Sequence, residues 1–340
     1  MSTQTLDIAK LQDYLEENIP GFSGELSAEK FAGGQSNPTF KLTAGGKHYV
    51  LRRKPPGELL KSAHAVDREY RVISALADTG VPVAETYCLC EDEDVIGSMF
   101  YVMEYMDGRV FWDATLPEVE SQEERSAIYD EMNRVLAELH KVNVEEVGLA
   151  DFGPPGNYFE RQVGRWTKQY RASETEHSPA MEKLIAWLPA NMPADDGLVT
   201  LVHGDYRLDN VMFHKTEPRI IAVLDWELST LGHPLADLSY QCMAWALPRS
   251  DTGMSGLGGV DRAAIGLPTD EEYVADYCKR TGRDTIENWN FYLVFCFFRL
   301  AAILQGVKKR ALIGTASSAE ATAKAAAVEP LAQAGAALID

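Results

Sequence analysis

The sequence predicts an α+β fold in two lobes, a small β-rich lobe over residues 1–105 and a larger helical lobe over residues 106–340. Three observations carry that expectation. Strand-like texture dominates from Leu26 to Leu51 and again at Met99–Tyr105, whereas helical spacing of apolar residues dominates afterwards. At 340 residues the chain can bury one large core or two lobes. Within the helical half, one loop rich in acids and amides, Val202 to Asn210, is followed by two apolar runs that read as a hairpin.

Taken in order, Ile8, Leu11, Leu15 and Ile19 recur at helical spacing, and Pro20-Gly21 stops the pattern. Next comes a glycine turn, Gly33-Gly34-Gln35-Ser36-Asn37, between strand-like segments, and its backbone N–H groups suit phosphates as well as a plain turn. Ala44-Gly45-Gly46-Lys47 is a second turn. In the strand that follows, Val50 and Arg52 face one side and Arg53 the other, so Arg52 projects beneath the glycine turn. A helix is expected from Ser62 to Asp78 with Val66, Tyr70, Ile73, Leu76 and Ala77 on its core face. Glu69 falls on a different face, as a solvated acid or an ion-pair partner of Arg52.

Beyond Gly108 the pattern predicts helices at Ser126–Val142, Tyr158–Ser173, Met181–Leu188, Ala236–Ala246, Thr269–Arg280 and Glu287–Lys309, and an Ala-rich helical tail from Ser317. His140 reads as a last-turn packing or dipole residue. Arg161, Arg165, Lys168 and Arg171 form a basic stripe, either a solvated face paired with Glu160, Glu174 and Glu176 or an anchor for an acidic substrate. Asp251–Gly266 is glycine-rich without the lysine-bearing context of a phosphate loop, and is expected to be a mobile surface loop or substrate lid.

Composition narrows the classes. A formal charge of −19 argues against a nucleic-acid partner and against an anionic membrane surface. Cys88, Cys90, Cys242, Cys278 and Cys296 are an odd set without zinc spacing, read as reduced core thiols of a cytoplasmic protein. The N-terminus lacks the order of a signal peptide, and the longest apolar run, Phe291–Phe298, is too short to span a bilayer.

The chemistry concentrates around the acidic loop. Asp205 followed by Asn210 has the spacing of a kinase catalytic loop, in which the acid receives the hydroxyl proton and the amide holds metal. Asp225, after the expected hairpin, stands where a second metal-binding carboxylate belongs. A hydroxyl is a poor nucleophile, so a placed carboxylate and an aligned phosphoryl group supply most of what its phosphorylation requires.

The motif His203-Gly204-Asp205-x-x-x-x-Asn210, then Leu224-Asp225-Trp226-Glu227, then Gly232-x-Pro234-x-x-Asp237, resembles the aminoglycoside phosphotransferase and choline kinase-like superfamily. Segments such as Val50–Gly57, Gln169–Glu174 and Asn288–Tyr292 are similar to the kinase-like region fused to some acyl-CoA dehydrogenases. The resemblance implies a bilobal protein-kinase-like fold and an ATP- and Mg2+-dependent phosphotransferase. Asp205 would be the base and Asn210 with Asp225 the metal ligands. Gly33, Gly34, Gln35, Ser36 and Asn37 would cover the phosphates. Arg52 would be the phosphate-binding cation, where many kinases have lysine, with Glu69 as its partner. Met103, Glu104 and Tyr105 would form the adenine hinge, and His203 and Asp237 structural braces; His233 has no implied role.

The implied acceptor is a small-molecule hydroxyl, with a hydroxyacyl-CoA or hydroxy acid suggested by the dehydrogenase-linked members and by the basic stripe, and a functional link to an acyl-CoA dehydrogenase. Two alternatives stand beside it: a nucleotide-binding pseudokinase that regulates a partner, and a metal-dependent hydrolase using His203, Asp205, His214, Asp225 and His233.

Overall fold

The computed structural model describes residues 6–31, 37–55, 65–249, 255–313 and 326–339. Gly33 to Ser36, the expected helix start at Ser62–His64, residues 251–254 of the expected lid and the tail at 317–325 lie outside them.

Two compact units divide the chain. The first comprises Met1–Arg109, Met212–Lys215 and Ile220–Ser229; the second comprises Val110–Val211, Thr216–Arg219 and Thr230–Asp340. A single cut after residue 105 misses this return, because the hairpin near 212–229 packs with the first unit.

Helix α1 (Ile8–Asn18) begins the first unit, capped by Asp7, whose carboxylate accepts the Lys10 N–H at 3.2 Å. Strands β1 (Ser27–Lys30), β2 (Thr39–Ala44) and β3 (Lys47–Arg53) precede helix α2 (Val66–Leu76), and β4 (Thr86–Cys90), the short helix α3 (Glu93–Ile96) and β5 (Phe100–Glu104) follow it. They build one antiparallel sheet in the order β1-β2-β3-β5-β4. Gly45 and Gly46, with φ of 56° and 77°, make the β2–β3 turn, which needs left-handed backbone at both positions.

Alternation sorts the sheet's side chains. Phe40, Leu42, Tyr49, Leu51, Cys88, Cys90, Phe100 and Val102 join Leu11, Leu15 and Ile19 of α1 in one apolar cluster. Arg52 and Tyr101, paired in register across β3 and β5, fall on the alternate positions. The buried face of α2 is Val66, Glu69, Val72, Ile73 and Leu76. Glu69 is therefore inside and not on a separate solvated face, while Tyr70 is half-buried and Ala77 exposed.

The second unit is helical: α4 (Gln122–Lys141), α5 (Tyr158–Ser173) and α6 (Pro179–Ala190) come first. Strand β6 (Thr200–Val202) leads into the acidic loop; β7 (Val211–Phe213) and β8 (Ile220–Val223), which fall almost wholly in the first unit, pair as a two-stranded sheet, and β9 (Thr230–Gly232) pairs back antiparallel with β6. Helices α7 (Leu235–Ala246), α8 (Asp270–Thr281), α9 (Trp289–Leu312) and α10 (Val328–Ala337) complete the described residues. Ser121 and Thr269 cap α4 and α8, each accepting an N–H three residues on. By length and composition α9 is apolar enough to cross a membrane, yet it is mostly buried inside the protein, packed by α5, α7 and α10. The described part of the expected lid is packed down instead: the Leu257 N–H donates to Trp245 O (3.0 Å) and the Gly258 N–H to Leu247 O (2.8 Å).

Gly108 shows how closely the returning hairpin is held within the first unit. The Arg109 and Phe213 backbones exchange both hydrogen bonds at 2.8 Å. A Cβ on Gly108 would run into the Phe213 carbonyl oxygen and crowd Met212 and Ile221. Gly164, by contrast, sits in α5 with open space where its Cβ would be. Gly108→Ala is expected to lose about 1–3 kcal/mol through overpacking. Gly164→Ala should gain about 0.5–1 kcal/mol by removing helix glycine entropy. Urea-denaturation midpoints of the two variants, moving in opposite directions, check both.

Candidate active site

The loop after β6 reverses at Gly204, whose φ of 85° suits a residue without Cβ. One buried carboxylate holds the turn. Asp237, in the first turn of α7, accepts the His203 N–H on Oδ2 at 2.6 Å and the Gly204 N–H on Oδ1 at 2.8 Å. His140 at the end of α4 places Nε2 at 3.3 Å from Asp237 Oδ2 and Nδ1 at 2.6 Å from the Tyr277 hydroxyl. Burial pushes the Asp237 pKa up, but hydrogen bonding and charge from His140, the charge of His203 and the Gly204 N–H outweigh it and hold the group below the ordinary carboxylate value.

Asp205 follows directly. Its own N–H donates to His203 Nδ1 at 3.2 Å, fixing that ring as an acceptor there. A 3-10 turn at Leu208–Asn210 brings Asn210 back, so its Nδ2 donates to the Asp205 carbonyl at 2.8 Å and to Asp205 Oδ2 at 2.9 Å. Arg207 lies 3.4 Å from Asp205 Oδ1 and donates to Asp209 Oδ2 at 2.7 Å. With Nδ2 engaged, the Asn210 oxygen makes no hydrogen bond among the described residues. A carboxylate and an amide oxygen are hard donors of the kind magnesium prefers.

The first unit holds the cation network. Arg52 Nε lies 2.8 Å from Glu69 Oε2, and Arg52 Nη2 donates to Asp225 Oδ1 at 2.6 Å. Glu69, 1% exposed, also accepts Asn37 Nδ2 at 2.7 Å and the Tyr101 hydroxyl at 3.2 Å. Burial pushes the Glu69 pKa up to about 7 against the pull of Arg52, with Asp225 and Glu227 adding to the rise. Burial works against the Arg52 charge, but Glu69, Tyr101 and Asp225 hold its pKa above the usual arginine value. Asp225 sits in left-handed backbone (φ 60°, ψ 62°) at the start of the 3-10 turn Trp226–Leu228, a conformation uncommon for a residue with a Cβ. Such strain persists where surrounding structure enforces it and gathers at functional sites. Here Trp226 does so, buried with its Nε1–H donating to Val223 O at 3.0 Å.

The remaining sequence-selected residues separate by environment. Asn37 is buried on Glu69 and does not face solvent. Met103 pairs with Val50, the Glu104 N–H donates to Glu85 O at 2.8 Å, and the Tyr105 ring lies under Lys41 Nζ at 4.6 Å. The basic stripe is largely engaged: Arg161 donates to the Pro154 and Pro155 carbonyls, and Arg171 grips Glu182 with Glu174 nearby, leaving Arg165 and Lys168 exposed. His233 sits over Tyr292, ring planes 9° apart, with Nε2 at 3.3 Å from Asp196; burial lowers its pKa against that carboxylate. Among the described residues, the group of three His, Cys or acidic ligands close enough for one metal is Glu174, His177 and Glu182, which Arg171 already bridges. The set His203, Asp205, His214, Asp225 and His233 is not such a group.

Sequence reasoning missed Tyr101, Tyr240 and Arg299. Arg299 is buried in α9, donates to the Gly204 carbonyl at 2.9 Å and lies 5.6 Å from the Tyr240 ring centroid. A lone charge in the stretch from Trp289 to Val307 was the available signal; Tyr101 and Tyr240 offered none.

The phosphotransferase enzyme family matches residues 27–285. Acyl-CoA dehydrogenase family member 10 of Mus musculus is 49% identical over 327 residues, covering 95% of this chain and 30% of that protein. Acyl-CoA dehydrogenase family member 11 of Homo sapiens is 44% identical over 334 residues, 97% of this chain and 42% of that protein. The chain thus spans less than half the length of these curated relatives. A crystal structure of a candidate aminoglycoside phosphotransferase from Ralstonia eutropha JMP134 is 52% identical, covers 98% of each chain and has a TM-score of 0.90. Aminoglycoside phosphotransferase APH(4)-Ia, solved in a ternary complex with ADP and hygromycin B, has a TM-score of 0.62 at 15% identity over 97% of this chain and 98% of that one, a likeness of fold.

Asp237 gives the site a measurable acid sensitivity. A carboxylate with a depressed folded pKa contributes stability that is present above its unfolded value and lost as pH falls through the folded one. Asp237→Ala, which strands two buried N–H groups, should cost about 3–5 kcal/mol at neutral pH. Denaturant titrations between neutrality and pH 3 should show the variant's deficit shrinking on the acid side of about pH 4.

Proposed function

The chain belongs to the phosphotransferase enzyme family and has a protein-kinase-like fold, and we propose that it catalyses ATP- and magnesium-dependent phosphorylation of a small-molecule hydroxyl. The observation that carries this reading is the Asp205–Asn210 pair, a carboxylate and an amide bonded at 2.9 Å on a loop whose peptides are anchored from below.

Asp205 receives the proton of the acceptor hydroxyl as the hydroxyl oxygen bonds to the γ-phosphorus and the bond from that phosphorus to the β–γ bridging oxygen breaks, releasing ADP. Asn210, through its side-chain oxygen, and Asp225, through its carboxylate, would hold magnesium, each offering the kind of hard oxygen donor that ion prefers. Magnesium supplies neutralisation of phosphate charge. Arg52, paired with Glu69, would bind phosphate oxygens; the glycine turn read as covering them, Gly33 to Ser36, lies outside the described residues. The Asn210 amide at Oδ2 and the Arg207 guanidinium beside Oδ1 hold the Asp205 carboxylate in place.

For the acceptor we favour the hydroxyl of a hydroxyacyl-CoA or hydroxy acid. The support is the identity to proteins named as acyl-CoA dehydrogenase family members, which also supports a functional link to such a dehydrogenase. The basic stripe adds little, since Arg161 and Arg171 are engaged within the fold.

The test pairs a substrate screen with one variant. Purified protein, ATP and magnesium are incubated with hydroxyacyl-CoAs, hydroxy acids, aminoglycosides and choline, and products are read by ³¹P NMR and mass spectrometry. A phosphorylated hydroxyacyl product is expected. Asp205→Ala should keep ATP affinity within about twofold and lose transfer by at least about 1,000-fold. Undiminished turnover in that variant, or ATP binding with no phosphorylated product from any class, overturns the proposal.

A further inference from the structure

Asp205 is joined to Gly204 by a peptide plane that glycine leaves easy to turn. Gly204 has no Cβ to restrict it and already stands at φ 85°. Rotation about the Gly204 ψ bond alone would turn the carbonyl and N–H of that plane away from their partners and carry the Asp205 side chain to a new direction. Asp237 does not prevent this, because it grips the two preceding N–H groups, those of His203 and Gly204. Each end of the 204–205 plane has its own partner. The N–H, which belongs to Asp205, donates to His203 Nδ1 at 3.2 Å, and the carbonyl, which belongs to Gly204, accepts Arg299 Nη2 at 2.9 Å.

Burying a guanidinium in the middle of a core helix is costly unless charge and hydrogen bonds compensate. Arg299 is 7% exposed on α9, among Val294, Phe295, Phe298, Ala301 and Ala302. Among the described residues no carboxylate lies within ion-pair distance of it. Its named contacts are the Gly204 carbonyl and the ring of Tyr240 on α7, and the hydroxyl of Tyr240 is directed to the Asp205 side chain. Arg299 thus reaches Asp205 twice, through the peptide that precedes it and through the phenol beside it. A core cation placed only for packing would need neither.

We infer that Arg299, with Tyr240, is a positioning residue of the transfer reaction: it locks the Gly204–Asp205 peptide so that the Asp205 carboxylate keeps a single direction. The inference rests on the reading of Asp205 as the base, and it adds a second grip on the loop from a helix distant in sequence. Arg299 is buried behind the loop and acts through the Gly204 carbonyl, so it sets where the base is. Loss of that hold therefore lowers kcat and spares nucleotide binding.

The experiment compares Arg299→Lys, Arg299→Met and Tyr240→Phe with the parent chain in kcat, KM for ATP, melting temperature and amide hydrogen exchange of the 203–205 segment. Misplacement of a reacting group by about 1 Å costs about 100-fold, the fall in kcat expected for Arg299→Met with KM for ATP within about twofold. Arg299→Lys, which keeps charge but loses the fork, should recover to within about tenfold of the parent. Tyr240→Phe should fall by a similar factor, and exchange of the Asp205 amide should quicken in both Arg299 variants at unchanged melting temperature.

Parent-like kcat in a folded Arg299→Met protein overturns the inference. So does a loss that follows melting temperature and is not recovered by lysine, which is the behaviour of a packing residue. If Arg299→Met does not fold, the lysine and phenylalanine variants decide. Should Asp205→Ala turn out fully active, the reading of the base fails while the exchange measurement still decides whether Arg299 holds the peptide.

Discussion

Two backbone N–H groups converging on one buried carboxylate underlie the arrangement of the second unit. Without Asp237, the turn at His203–Gly204 would bury two donors with nothing to accept them, at about 1–3 kcal/mol each. With it, an ionised group that is unfavourable in the interior becomes favourable, since charge-assisted hydrogen bonds are the strong ones. The same carboxylate joins three elements, because the loop follows β6, Asp237 opens α7 and His140 closes α4. Asp205 and Asn210 inherit their positions from that junction.

A different logic holds the first unit. Its central feature is a buried ion pair, which is weak evidence of stability because desolvation opposes the Coulomb gain. The opposing tendencies are visible in Glu69, pushed up by burial and pulled down by Arg52. Burial prevails, raising the pKa to about 7, while Asn37 and Tyr101 fix the carboxylate by donating to one oxygen each. The network is therefore better understood as a device that fixes the direction of a guanidinium than as a source of folding energy. Arg52 reaches Asp225 across the sheet-to-hairpin packing that Gly108 permits, and this is why the hairpin belongs with the first unit.

Much of this was legible from the residues alone. Helices with a strong apolar stripe, such as α4 and α5, and the glycine pair of the β2–β3 turn followed from local rules. The spacing from Asp205 to Asn210 marked the loop, but not the 3-10 turn that folds the amide back on the acid. What failed to show were features decided by tertiary packing. Glu69 is an acid on a buried helix face, which periodicity assigns to the wrong side because it assumes that acids avoid cores. Tyr101 and Tyr240 look like any core aromatic until their hydroxyls are seen to have carboxylate partners. The glycine-rich segment near 256–258 reads as a flexible lid by composition. Its glycines instead admit the Ala244 and Leu247 carbonyls closely, with no room for a Cβ at Gly256.

The unequal count of 32 cations against 51 acids bears on how an anion can be received at all. Arg161, Arg171 and Lys308 are engaged by carbonyls or carboxylates of the fold, and Arg52 by two acids. An anion approaching Arg52 must then compete with one of those acids, and the two are not equally replaceable. Glu69 is enclosed and held by two further donors, whereas the Asp225 side chain is 36% exposed and held by Arg52 at one oxygen. Exchange at Asp225 would leave Glu69 in place, because the two acids meet different nitrogens of the guanidinium, Nη2 and Nε. A lysine ammonium is a single point of charge and would have to share it between the two acids and the incoming anion. Arginine at position 52 would thus let one nitrogen stay fixed while another changes partner, a division of labour that follows from the shape of the group and from the acids around it.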